Sequence, residues 1–304
     1  MNNLEVELGV WKLENPVIPA SGTFGFGHEF AQWFDLNILG SISLKGTTLE
    51  PRFGNPTPRV AECSSGMLNS IGLQNPGVEA VINQELPKLF RCFNKKVIAN
   101  VAGNSIEEYL KVASMFDKVP QVAVLEVNLS CPNVKIGGMS FGVSVDSVRN
   151  ICFALKKIVN KPIFVKLSPN VTNISDIAVA AEDSGADGLV LINCLLGCAI
   201  NPISGKFVVS TKFAGFSGPA IKPVALRMVA EVYSKVKIPI IGVGGITCAD
   251  DVIEFLSAGA SAVEVGTQNL VDPRACFNII KEIPNKMKNY GIKTLRSIIG
   301  RSHS

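Results

Sequence analysis

The stretch PIIGVGGITCADDVIEFLSAGASAVEVGT, residues 239–267, decides how this chain folds. It opens with an apolar run, PIIGVGG at 239–245, and closes with another, AVEVGT at 262–267. Apolar runs of this length, without polar alternation, mark strands buried on both faces. Between them CADDVIEFLSAGA at 248–260 keeps a helical period. The same unit recurs along the chain. Further strand runs are NPVIPA at 15–20, LGSISLK at 39–45, KVIANVAG at 96–103, AVLEVNLSC at 123–131, PIFVKLS at 162–168 and GLVLINC at 188–194. Helical segments follow at 105–116, with Ser105 as N-cap, then at 144–159, 173–186, 223–236 and 273–283. Eight strands alternating with helices predict a closed (β/α)8 TIM barrel rather than an open sheet. LEVELGVWKLEN, before the first strand, reads as an N-terminal hairpin across the barrel floor. No low-complexity linker interrupts the 304 residues, so residues 1–304 are expected to form a single domain.

Composition excludes several classes of function. Hydrophobic residues make up 47% of the chain and charged residues 18%, which supplies a large core and argues against disorder. The net charge of +4 is scattered, with its densest pairs in FNKKV at 93–97 and LKKIV at 155–159, and makes no nucleic-acid stripe. Eight cysteines form no Cys-x-x-Cys pair, and with only His28 and His303 no zinc spacing exists, so no metal is expected. The N-terminus lacks signal-peptide character, and no apolar run approaches the roughly 20 residues of a membrane span. A reduced, cytoplasmic protein is the expectation.

Two connections are far longer than usual. Residues 46–95 and 195–222 follow the second and sixth strands, and both predict long loops over the C-terminal face, where barrel proteins do chemistry. The strand ends there carry unusual residues: Ser21 and Gly22, Lys45 and Gly46, Asn100, Asn128 with Cys131, Lys166, and Asn193 with Cys194. Lysines at the ends of buried strands are hard to explain as packing. Asn69, Asn100, Asn128 and Asn193 offer donors and acceptors suited to a planar ligand with carbonyl and N–H groups. No acidic cluster is evident at these ends. Gly244, Gly245, Gly266 and Thr267 close the last two strands, where barrels often bind phosphate through backbone N–H groups. Cys131, before Pro132, is open at this point to reading as nucleophile, proton-transfer base, metal ligand or small core residue.

The longer motifs resemble the class 1B dihydroorotate dehydrogenases, in particular their FMN-carrying catalytic subunit. The likeness runs through NPVIPASGTFGFGHEF at 15–30, TTLEPRFGNPTPRVAE at 47–62, MLNSIGLQNPG at 67–77, EVNLSCPNVKIGG at 126–138, GFSGPAIKPVALRMV at 215–229 and IIGVGGITCADD at 240–251. It implies oxidation of dihydroorotate to orotate in pyrimidine biosynthesis. Cys131 falls on the position of the family's catalytic base. Ser21, Lys45, Gly46, Asn100, Asn128, Lys166, Ile192, Gly218, Gly244, Gly245, Gly266 and Thr267 fall on FMN positions. Lys45, Asn69, Ser70, Ile71, Gly72, Leu73, Asn128, Asn193 and Cys194 fall on substrate positions. The resemblance further implies a homodimer within a heterotetramer, whose electron-transfer subunit carries FAD and a [2Fe–2S] cluster and delivers electrons to NAD. Cys194 stands where the family usually has Thr or Ser, and Ser70 where Ala is common.

The chemistry agrees with that resemblance. Oxidising dihydroorotate removes a proton from carbon 5 and a hydride from carbon 6, so a flavin needs a base opposite it. A thiol at a strand end, followed by a rigid proline, suits that task. A rival reading is a class 1A-like enzyme that reduces fumarate without a partner. A flavin barrel acting on another pyrimidine, tRNA dihydrouridine included, is a second, and a flavin- or phosphate-binding assembly module is a third. A tRNA substrate calls for a basic surface that this chain lacks, and a binding module needs no base.

Overall fold

The structure, a computed structural model, describes residues 3–129, 135–136, 139–140 and 144–304. Seven strands lie parallel in one sheet: Val17–Pro19, Val97–Val101, Val122–Asn128, Ile163–Lys166, Gly188–Leu191, Ile240–Val243 and Ala262–Val265. All of Ile163–Lys166, Gly188–Leu191, Ile240–Val243 and Ala262–Val265 is buried, as continuous apolar runs require. In space the Val17 strand lies beside the Ala262 strand, and the order continues through 240, 188, 163 and 122 to the Val97 strand. Parallel register sets Val165 beside Val127 and Lys166 beside Asn128.

The gap between the Val17 and Val97 strands is filled by residues 40–47. On one side Gly40 N donates to Val17 O (3.0 Å) and Ser43 N to Pro19 O (3.2 Å). On the other, Leu44 N donates to Ile98 O (2.9 Å) and Ile98 N to Ile42 O (2.9 Å). The eighth stave is therefore present, but it holds the ring through isolated bridges at Ser43 and Thr47 rather than as the regular strand expected at 39–45. The reason is local: Lys45 N turns away to donate to Gly25 O (3.0 Å), which interrupts the ladder.

The helices surround this ring. They comprise Ile106–Asp117, Val145–Lys156, Ile174–Asp183, Lys222–Tyr233, Ala249–Ala258 and Ala275–Asn289. Ser105 caps the first as expected, accepting from Glu108 N (3.3 Å). The last runs beyond the expected stop at 283, because Pro284 is taken into the helix interior. Expected strand ends and helix limits otherwise agree with the structure to within a few residues. The N-terminal hairpin is present as Val6–Leu8 paired antiparallel with Trp11–Leu13, and it buries Val6, Leu8 and Leu13 in the main core. No helix among the described residues is long and apolar enough to cross a membrane.

The two long connections are more ordered than loops. Val60–Cys63, Gly66–Asn69, Leu195–Gly197 and Ala214–Ser217 form one four-stranded antiparallel sheet, in which Ala214–Ser217 joins the two connections. A small cluster of Leu68, Val209 and Ala214 is the core of this layer. The first connection also contains helical turns at Val78–Ala80, Val81–Glu85 and Leu86–Leu89.

Gly259 ends the Ala249–Ala258 helix in the left-handed conformation, with φ of 119°. A Cβ there would stand 2.2 Å from Tyr233 Cγ. Gly259→Ala is expected to lower stability by about 2 kcal/mol or more, from backbone strain and overpacking together. Urea titration followed by circular dichroism checks this; an unchanged midpoint contradicts the packing described here.

Candidate active site

A cavity of about 610 Å³ opens at the carboxyl ends of the barrel strands, beneath the antiparallel sheet. Ser21, Lys45, Gly46, Asn128, Lys166, Ile192, Asn193 and Cys194 line it from the barrel side. The segment Asn69 to Leu73 lines it from the first connection. Gly218, Gly244, Gly245, Gly266 and Thr267 line it at the end formed by the last strands. Sequence positions far apart thus converge on one volume, as expected from the strand ends. Cys131 lies outside the described residues.

Asn100 is the exception. It is fully buried and does not line the cavity. Its Nδ2 donates to Glu126 Oε1 (2.6 Å), while its Oδ1 has no partner among the described residues. A Cβ on Gly46 would lie 2.8 Å from that oxygen, so Asn100 sits directly behind the glycine that forms the wall.

The amides on the barrel side hold one another. Asn193 Nδ2 donates to Asn128 Oδ1 (3.3 Å), and Cys194 N donates to Asn193 Oδ1 (2.8 Å). Asn69 Nδ2 donates to Gly215 O (3.3 Å) and contacts Cys194 Sγ at 3.7 Å. Burial pushes the Cys194 thiol up, so it is a neutral, weak partner rather than a thiolate. Tyr109, buried on the Ile106–Asp117 helix, donates its hydroxyl to Asn128 O (2.7 Å) and secures the end of that strand.

The segment Asn69 to Leu73 is shaped by a residue that sequence reasoning passed over. Asn55 N donates to Ile71 O (2.9 Å), and its Nδ2 donates to Ser70 O (2.9 Å). Gly72 follows at φ 76° and Leu73 at φ 57°. A Cβ on Gly72 would meet Asn55 N at 2.6 Å, so only glycine fits this close approach. Asn170, also missed, braces the opposite wall: its Nδ2 donates to Cys194 O (3.0 Å) and its Oδ1 accepts from Leu196 N (2.8 Å).

At the glycine-rich end, Gly218, Gly244 and Gly245 have φ of 107°, 134° and 72°. A Cβ on Gly266 would meet only Ala20 Cβ, at 3.9 Å, so this backbone borders open space. Thr267 Oγ1 donates to Ser217 Oγ (2.8 Å), tying the last strand to the second long connection. Asp251 anchors the turn after Ile240–Val243 by accepting from Thr247 N (2.7 Å), Thr247 Oγ1 (2.8 Å) and Lys222 Nζ (2.6 Å). Although burial opposes it, these bonds hold the Asp251 carboxyl below the usual carboxylate range.

No acid lines the cavity among the described residues, but two carboxylates lie inside the barrel beneath the strand ends, which sequence reading did not single out. Lys166 Nζ lies 3.0 Å from Glu126 Oε1 and 2.7 Å from Glu264 Oε2, with both acids fully buried. Ser43 Oγ donates to Glu126 Oε2 (2.9 Å). The available signal was a single acid inside each of two buried runs, AVLEVN and AVEVGT. A lone Glu on a strand buried on both faces requires a cation or a proton.

Fold and site together define a (β/α)8-barrel protein with its ligand cavity at the carboxyl ends of the strands, built from amides, two lysines and glycine-rich turns. The chain belongs to the dihydroorotate dehydrogenase family, whose model matches residues 3–287. It is 55% identical over 302 residues to the dihydroorotate dehydrogenase B (NAD(+)), catalytic subunit, of Bacillus cytotoxicus, covering 99% of this chain and 97% of that protein. The subunit of the same name from Bacillus pumilus is 54% identical over 299 residues, covering 98% and 96%. The crystal structure of DHODH in complex with ferulenol from Eimeria tenella superposes with a TM-score of 0.81 at 24% identity, over all of this chain and 89% of that one. This last likeness concerns the fold.

Asp251→Asn removes the carboxylate that staples the turn at 244–248 and is expected to cost about 1–2 kcal/mol at pH 7, the range of a lost helix cap. The folded-state pKa of Asp251 is depressed, so its contribution is complete above the unfolded value of about 3.9 and disappears as pH falls through the folded value. Denaturation of both proteins at pH 7 and pH 3 checks the sign. A gap that widens at pH 3 contradicts it.

Proposed function

We propose that this chain is a catalytic subunit that oxidises dihydroorotate to orotate in pyrimidine biosynthesis, with FMN as its resident cofactor. One observation carries the reading: within a dihydroorotate dehydrogenase chain, nearly every residue matched to flavin or substrate positions borders a single cavity. About 610 Å³ lies within the usual range for a small-molecule site.

The residues present fit FMN. Gly266 leaves its backbone open to the cavity, and Gly218, Gly244 and Gly245 adopt the positive φ of a tight turn beside it. The Lys222–Tyr233 helix begins behind them, where a phosphate would be held. Lys45 and Lys166 bring positive charge to the wall that would face the ring. When bound, FMN supplies the hydride acceptor that no side chain provides.

The remaining tasks fall to the chain. Asn69, Asn128 and Asn193 orient the substrate through its carbonyl, N–H and carboxylate groups, with the Asn69 to Leu73 segment closing over it. Asn55 keeps that segment in shape. Cys131 takes the proton from carbon 5 of dihydroorotate as general base. A thiol near its ordinary pKa of about 8.5 is mostly protonated at neutral pH, so turnover is expected to rise toward alkaline pH. Electrons leave to a partner subunit with FAD and a [2Fe–2S] cluster and on to NAD, in a cytoplasmic heterotetramer built on a homodimer of this chain. The names of the relatives, catalytic subunits of an NAD(+) enzyme, favour this over fumarate as acceptor.

Anaerobic mixing of the purified yellow chain with dihydroorotate tests the proposal through flavin absorbance. Bleaching that neither NAD nor fumarate reverses is the expected result. Bleaching followed by fumarate turnover assigns the self-sufficient class, and no bleaching overturns the substrate. Cys131→Ala is expected to retain FMN and to lose roughly 10²- to 10⁴-fold in dihydroorotate oxidation, the usual share of a general base. Near-normal turnover in that variant removes Cys131 from the mechanism.

A further inference from the structure

Lys166 at the floor of the cavity and two glutamates buried beneath it are three ionisable groups that cannot all be charged at low cost. Lys166 Nζ bridges Glu126 and Glu264 at 3.0 and 2.7 Å, and neither acid has any exposed surface. With both acids ionised the layer would carry one net negative charge inside the barrel, where an uncompensated charge is expensive.

The two acids differ in their partners. Glu126 is saturated: Oε1 accepts from Asn100 Nδ2 (2.6 Å) and faces Lys166, while Oε2 accepts from Ser43 Oγ (2.9 Å). Every neighbour of Glu126 in that set is a donor, which suits a carboxylate. Among the described residues Glu264 accepts only from Lys166 (2.7 Å), and its buried Oε1 meets no donor. An unpaired buried carboxylate oxygen is unfavourable, whereas a hydroxyl at the same place becomes a donor toward the adjacent Glu126.

We propose that Glu264 carries a proton in the folded protein, leaving Glu126 as the one counter-ion of Lys166, and that Glu264 is a positioning residue holding the Lys166 ammonium at the cavity floor. The layer is then neutral, and Oε1 of Glu264 gains a role. Burial and the nearby Glu126 push the Glu264 carboxyl up, to about 8. Burial alone would raise Glu126 as well, but the Lys166 charge and its hydrogen bonds hold it low. Despite burial, the Glu126 charge and the hydrogen bond to Glu264 hold the Lys166 ammonium above its ordinary value. Because Lys166 lines the cavity, its charge is felt by whatever ring lies above it.

The consequence is an asymmetry between two residues that touch the same lysine. Glutamine imitates a protonated glutamate, so Glu264→Gln preserves the charge of the layer. Glu126→Gln removes the charge that helps keep the proton on Glu264, so in that variant Glu264 ionises and takes over as counter-ion of Lys166. Resting on the flavin reading above, each single glutamine variant keeps the layer neutral, and its bound flavin is expected to stay close to the midpoint potential of the unmodified protein. The double variant Glu126→Gln/Glu264→Gln, with a net positive layer, is expected to be clearly more positive.

The test has two independent parts. Infrared spectroscopy of the purified chain at pH 7, in H2O and D2O, is expected to show the carbonyl stretch of a protonated carboxylic acid. That band should vanish in Glu264→Gln, shift in Glu264→Asp and stay unshifted in Glu126→Asp. Absence of the band, its persistence in Glu264→Gln, or a shift in Glu126→Asp but not in Glu264→Asp overturns the assignment of the proton. Spectroelectrochemical titration of the bound flavin then compares the two single glutamine variants with the double one; a single variant that shifts as far as the double overturns the neutral layer. A colourless chain that takes up no FMN defeats the flavin reading, yet the infrared result still decides where the proton sits.

Discussion

The ammonium of Lys166, held between two buried glutamates, is the contact around which this barrel is organised. Lys166 ends one strand, Glu126 lies on its neighbour, and Glu264 reaches in from across the ring. Ser43 on the irregular stave and Asn100 on the next strand complete the layer. Five of the eight staves therefore meet through one polar cluster in an otherwise apolar interior. Such a cluster contributes little net stability, because desolvation offsets much of the Coulombic attraction. Its effect is positional: it fixes the height of each strand relative to the others, and so the depth of the cavity floor.

Everything above the floor follows from keeping the strand ends level. Lys166 stands beside Asn128 in the parallel register, and Asn193 reaches Asn128 from the strand that follows. The rim is then built by groups that keep neighbouring loops in place: Tyr109 under Asn128, Asn170 on the Cys194 wall, Asn55 behind the Gly72 turn, and Asp251 beneath the glycines. None of these is among the residues matched to ligand positions, and each holds a backbone group that shapes the site. Substituting one of them changes geometry rather than chemistry.

Barrel architecture was legible in the sequence because a strand buried on both faces must be apolar throughout, and seven of the eight expected runs became regular strands. The run at 39–45 became an irregular stave because the hydrogen bond from Lys45 N to Gly25 O is a tertiary fact with no local signature. For the same reason the sheet over the cavity was not foreseen. Its strands at 60–69 and 195–217 pair across more than a hundred residues, and they read locally as glycine- and proline-rich loops. Lysines and asparagines at strand ends pointed to the cavity correctly, with Asn100 alone standing one layer behind the wall.

The sequence by itself determined the repeat of strands and helices, the end of the barrel that carries polar groups, and the family to which the motifs belong. Those features depend on residue type at local spacing. Tertiary structure alone decided which glutamates meet Lys166, which amides support others, and how two distant connections close one cavity. Pairing of this kind depends on which side chains are brought together in space. A lone Glu in an apolar run shows that some partner is required, and only the folded ring supplies Lys166 as that partner.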